Sequence, residues 1–133
     1  MPIVVVESIE GHLNQAQKKK IVDAVTKVET NMGVLVDRIN VIFHDNQARN
    51  WAVGGKFQTE EKKPPALIYI DVFPELFFEK QRNDILNALT PVLKEVGFVP
   101  ERTNIALKDN LMKNWAVAGV FQEQFREHIP PLK

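Results

Sequence analysis

Asn50-Trp51-Ala52-Val53 returns as Asn114-Trp115-Ala116-Val117, and the interval of 64 residues between the copies decides how this 133-residue chain folds. The same shift, without a gap, lays Arg38-Ile39-Asn40-Val41 on Arg102-Thr103-Asn104-Ile105 and Asp45-Asn46 on Asp109-Asn110. Downstream it carries Gly55, Phe57 and Gln58 onto Gly119, Phe121 and Gln122. Upstream it carries Gln17, Ile21, Ala24, Thr26, Val28 and Gly33 onto Gln81, Ile85, Ala88, Thr90, Val92 and Gly97. A unit of about sixty residues is therefore present twice. Two copies are too few for a solenoid, so they are expected to pair about a pseudo-twofold axis into one domain spanning 1–133. The first unit is read over 1–57, a linker over 58–65, the second unit over 66–122 and a tail over 123–133.

Each copy reads strand, helix, strand. The β-branched run Ile3-Val4-Val5-Val6 opens the first, and Leu13, Ile21, Ala24, Val25, Val28 and Met32 then recur on one helical face before Gly33. In the second, Leu67-Ile68-Tyr69-Ile70 is the opening strand, and Ile85, Ala88, Leu89, Val92 and Val96 form the stripe before Gly97. Pro91 falls inside that stripe, where it lacks a backbone donor, so a kink or irregular turn is expected around Thr90. Second strands are expected over 40–44 and 104–108. Parallel pairing in each βαβ unit through a right-handed crossover gives an α/β fold, a four-stranded sheet with both helices on one face. Because Ile3 to Val6 and Val41 to Phe43 are apolar almost throughout, the other sheet face should be covered as well, in a chain this short by another subunit. Gln58-Thr59-Glu60-Glu61-Lys62-Lys63-Pro64-Pro65 reads as a solvated linker, and Arg126 to Lys133 as a similar tail.

Composition narrows the function classes. Lys plus Arg and Asp plus Glu both number 17, so the balance of charge predicts neither a nucleic-acid nor a membrane-surface partner. Without cysteine there is no disulfide, no thiolate catalysis and no cysteine metal site. His12, His44 and His128 are scattered, with no carboxylate at ligand spacing, so no metal is expected. Gly54-Gly55 marks a turn rather than a phosphate loop, and Lys18-Lys19-Lys20 reads as a solvated surface. No stretch has the length of a signal or a membrane span, which makes a cytoplasmic location the default expectation.

Pro2 follows the initiator methionine. Removal of Met1 would leave a secondary amine at the head of a strand. An α-amino group has a reference pKa of about 8, which an apolar pocket lowers, so such an amine can be a neutral base at physiological pH.

Pro2, the Glu10-Gly11 element behind the first strand, the βαβ unit and the segment Asn50-Trp51-Ala52-Val53-Gly54-Gly55 together resemble the tautomerase superfamily, in the subgroup similar to 4-oxalocrotonate tautomerase. The duplication resembles that enzyme's fused form. The resemblance implies a homotrimer standing in for the hexamer of the short members, no cofactor, and a small 2-oxo acid or its enol as substrate. Pro2 is implied as the general base, and Trp115, from the half opposite Pro2, as the apolar wall of the pocket. The counterpart of Pro2 is Ala66, inside the chain, so one proline site per chain is implied. Where the short enzymes clamp a dicarboxylate with two arginines, this chain has His12 and Asn40 in the first unit, and Leu76 or Phe77 and Asn104 in the second. The arginine pair of the decarboxylase and dehalogenase branches is replaced by Phe73-Pro74-Glu75-Leu76. Asn104 and Arg38 are then the candidates for binding the oxygen-bearing end of the substrate, and Asp37 resembles the water-activating aspartate of the decarboxylase. The expected activity is keto-enol tautomerisation. Alternatives are a hydratase, dehalogenase or decarboxylase using protonated Pro2, and a catalytically idle trimeric scaffold.

Overall fold

The computed structural model describes residues 3–60 and 63–123. The chain runs β1 (Ile3–Ile9), α1 (Gln15–Asn31), β2 (Asn40–Asn46), β3 (Ala52–Val53), β4 (Lys56–Phe57), β5 (Ala66–Val72), α2 (Glu79–Glu95), β6 (Thr103–Asp109), β7 (Ala116–Val117) and β8 (Val120–Phe121). The main sheet has the order β2-β1-β5-β6. Strands β1 and β2 are parallel, as are β5 and β6, while β1 and β5 meet antiparallel with Val4 opposite Ile70 and Val6 opposite Ile68. The expected α/β fold of two βαβ units is present, and the pseudo-twofold axis passes through the β1–β5 seam. Each repeat adds a two-stranded hairpin, β3–β4 in the first and β7–β8 in the second, which the sequence reading did not separate.

Alternation along the central strands fixes the layers. Val4, Val6 and Ser8 of β1 and Ala66, Ile68, Ile70 and Val72 of β5 are buried. They join Ile21, Val25, Val28 and Met32 from the α1 side and Ile85, Leu89, Leu93 and Val96 from the α2 side in one core. Truncating a residue as buried as Ile68, 1% exposed, to alanine should cost about 2–5 kcal/mol. Helix α1 starts with a reciprocal cap, Asn14 Oδ1 accepting the Gln17 N–H and Gln17 Oε1 accepting the Asn14 N–H, both at 2.8 Å. In α2 the cap position is Phe78, which has no acceptor to offer, and only the return bond from the Phe78 N–H to Gln81 Oε1 remains, at 3.0 Å.

Four local expectations change. Helix α2 runs unbroken through Pro91. Both Pro91 and Asn87, whose carbonyl loses its helical donor, lie on the exposed side, where water can serve that carbonyl. The linker is tied down at both ends: Gln58 is buried, with its amide donating to the Lys56 carbonyl at 2.9 Å, and Pro65 is buried against the start of β5. Lys18 does more than face solvent, since its ammonium pairs with Asp45 at 2.7 Å and lies 5.5 Å from the Phe43 ring centroid. The second strands are also longer than read, seven residues each. Most of the tail, residues 124–133 with His128, lies outside the described residues.

The sheet face away from the helices is not covered by any described element. Ile3, Val5, Leu67 and Tyr69 are half-buried there and Ile42 is exposed. Among the described residues no helix is long and apolar enough to cross a membrane.

Candidate active site

Met1 and Pro2 lie outside the described residues, so the site is built around Ile3, the next residue of the strand. Ile3 pairs with Asn40 at the start of β2. On its other side β5 runs antiparallel, and the register that sets Val4 against Ile70 brings the end of β5 level with the start of β1. Two segments therefore flank this point: the turn before β2, and the loop that leaves β5.

The turn before β2 is a short 3-10 segment, Val36–Arg38. Asp37 in it is exposed, Arg38 half-buried and Asn40 exposed, with the Asn40 amide donating to the Arg38 carbonyl at 3.5 Å. On the other side Phe73 follows β5 directly. Its ring meets Trp115 edge to face, centroids 5.6 Å apart and planes at 90°. Trp115 is presented by a 3-10 turn, Met112–Asn114, and its carbonyl accepts the Gln122 N–H at 2.8 Å, which fixes the indole's backbone. Glu75 ties the loop after β5 to that 3-10 turn, its Oε2 accepting the Met112 N–H at 3.0 Å. The Asn110 amide completes the corner by donating to Asp71 Oδ1 at 2.6 Å.

Glu29, one turn from the end of α1, lies at the same end of the fold, because α1 returns against the direction of β1 to reach β2. It is 4% exposed, and burial pushes its carboxyl up to about 7. On the open sheet face, Glu7 accepts from His44 Nδ1 at 2.8 Å and from the Asn46 amide at 3.0 Å. Burial acts to raise the Glu7 carboxyl, but those hydrogen bonds and the His44 charge outweigh it and hold the group below its ordinary value.

The structure thus brings Arg38, Asp37 and Trp115 to the end where β1 begins. It places Asn104 elsewhere in the chain. Asn104 pairs with Leu67, which pairs with Glu7, four strand residues from Ile3 and so about 13 Å away. That opposite end is the start of β5, where Trp51 and Arg102 stand and the Arg102 guanidinium donates to Gln58. His12 works structurally: its Nε2 lies 3.0 Å from the Val96 carbonyl, at the end of α2, and its ring packs on Phe98 with centroids 4.6 Å apart. Among the described residues no three His, Asp or Glu side chains converge to hold a metal ion. Phe73 and Glu75 were not singled out from the sequence as site residues. Their one signal was position, directly behind a strand whose end faces the start of β1.

The comparisons with known proteins agree with this architecture. Residues 2–60 match the family model of the tautomerase enzymes. Among solved structures, Pt0534 inactivated by 2-oxo-3-pentynoate superposes with a TM-score of 0.76 at 23% identity, covering 93% of this chain and 98% of that one. The F6 fused 4-OT asymmetric trimer gives 0.76 at 14% identity, over 92% of this chain and 98% of that one. N1, a member of the cis-3-chloroacrylic acid dehalogenase family, gives 0.77 at 19%, over 96% and 92%. No curated protein matches the sequence.

Proposed function

We propose that this chain, whose residues 2–60 match the tautomerase family model and whose whole length has the fold of the fused 4-OT proteins, is a cofactor-independent tautomerase of a small enolisable 2-oxo acid. The observation that carries the reading is the aromatic corner of Trp115 and Phe73 beside the start of β1. There a terminal Pro2 amine would be screened from water and kept neutral. As general base it takes a proton from the carbon beside the carbonyl and returns it at the enol oxygen; in ketonisation the same proton moves in reverse. Arg38 serves the carboxylate of the 2-oxo acid. A homotrimer closed over the open sheet face would cover the exposed Ile42 and the half-buried Ile3, Val5, Leu67 and Tyr69. Asp37, exposed on the same turn as Arg38, favours a second reading, hydration with Asp37 activating water and a protonated Pro2 as acid.

The test is covalent. Incubation with 2-oxo-3-pentynoate, followed by intact mass and peptide mapping, should give one adduct per chain, on Pro2 of protein that has lost Met1. Ketonisation of phenylenolpyruvate should fall by about two or more orders of magnitude in Pro2→Ala. Adducts scattered over lysines, or equal rates in Pro2→Ala and parent, reject the base. Light scattering should report three chains, and Ile42→Arg should shift the mass toward one.

A further inference from the structure

Glu75 puts an acid into the corner formed by Phe73, Met112 and Trp115. It leaves β5 on a turn closed by the Leu76 N–H bonding the Phe73 carbonyl at 2.9 Å. Its Oε2 is held by the Met112 N–H, while Oε1 is buried and has no hydrogen-bond partner. Among the described residues, half of the carboxylate is therefore uncompensated by any donor. Phe73, Trp115 and Met112, the last 1% exposed, make the surroundings apolar, so the charge is poorly screened. Of the nearby cations, the Lys108 ammonium lies over the Tyr69 ring at 4.3 Å on the open sheet face, Arg38 is on the β2 side, and Lys113 follows Met112 on its 3-10 turn. Of the nearby acids, Asp71 accepts from the Asn110 amide, and Asp109 ends β6.

Building on the proposed tautomerase reading, we infer that Glu75 is a specificity-determining residue. It excludes substrates that carry a second carboxylate at the end facing Phe73 and Trp115, and it admits mono-acids whose far end is an uncharged aryl or alkyl group. Repulsion between like charges in a dry corner acts against binding of the dianion, so the discrimination lies in KM more than in kcat.

The experiment compares phenylenolpyruvate with 2-hydroxymuconate, an enol bearing a carboxylate at each end, in wild type and Glu75→Gln. The amide of the variant keeps an acceptor for the Met112 N–H. Wild type should favour the mono-acid in kcat/KM, and Glu75→Gln should narrow the preference by about tenfold through the KM of the dianion. The KM of phenylenolpyruvate should stay level between the two proteins, a split that a purely structural glutamate would not produce. An unchanged preference, or one that narrows through kcat with the KM of the dianion unmoved, overturns the inference. Binding of phenylpyruvate and adipate, followed by tryptophan fluorescence, needs no turnover. If adipate gains no affinity on Glu75→Gln the inference fails, whereas ligands that bind without any turnover sink the tautomerase reading alone.

Discussion

His12 and Gly97 are in contact: a side chain begun on Gly97 would start 3.2 Å from Cε1 of the His12 ring, which bonds the adjacent Val96 carbonyl. Gly97 also has φ +96°, a left-handed conformation that a Cβ disfavours by about 1–2 kcal/mol. Gly11 shares the conformation, φ +86°, with nothing within 4 Å. Gly97→Ala should therefore lower the melting temperature more than Gly11→Ala, and adding His12→Ala should cost less in the Gly97→Ala background than alone. Equal losses at the two glycines would contradict the contact.

The hairpins invite a gain of stability. Gly54 and Gly55 both have positive φ in the β3–β4 turn, but the equivalent β7–β8 turn uses Ala118, at φ 53°, with Gly119. A turn needing two left-handed residues is easier for glycine. Ala118→Gly should stabilise the protein by about 1 kcal/mol in urea titration, less the added freedom of the unfolded chain. A clear destabilisation would refute it.

Glu29 predicts a slope of stability with pH. Its folded value of about 7 lies above the ordinary 4.5, so the folded state holds the proton more tightly between those limits. Stability from this group is full below pH 4.5 and is lost as pH rises through about 7. Glu29→Gln, which mimics the protonated form, should match wild type at pH 4 and exceed it at pH 8 by up to about 3 kcal/mol. Denaturant midpoints at the two pH values check it.

The two tryptophans should separate in function. Trp115 stands with Phe73 at the start of β1, while Trp51 stands at the start of β5, where Ala66 replaces a terminal amine. Trp115→Ala should shift the pKa controlling phenylenolpyruvate ketonisation upward by admitting water, and Trp51→Ala should leave that pKa in place. The pH–rate profiles of both variants decide it.

Much of this was legible in the chain itself. The 64-residue repeat and the helical stripes ending at Gly33 and Gly97 gave two βαβ units because burial imposes those periods on sequence. Hairpins of two residues per strand, such as Ala52–Val53 with Lys56–Phe57, are too short to show alternation. The position of Asn104 depends on β1 and β5 running antiparallel, a choice made by tertiary packing and not written in either strand. Phe73 and Glu75 lie where the repeat breaks: the shift sets them against Ile9 and Gly11, so the duplication gave no warning of an aromatic and an acid there.

That antiparallel seam has a consequence for folding. Val4 and Val6 from one repeat interlock with Ile70 and Ile68 from the other, and both helices close over the same core. Either repeat alone would expose half of that core, with a strand edge where its partner had been. The chain should lose structure in a single cooperative transition, coincident by circular dichroism and tryptophan fluorescence. Two genetic units behave as one thermodynamic unit.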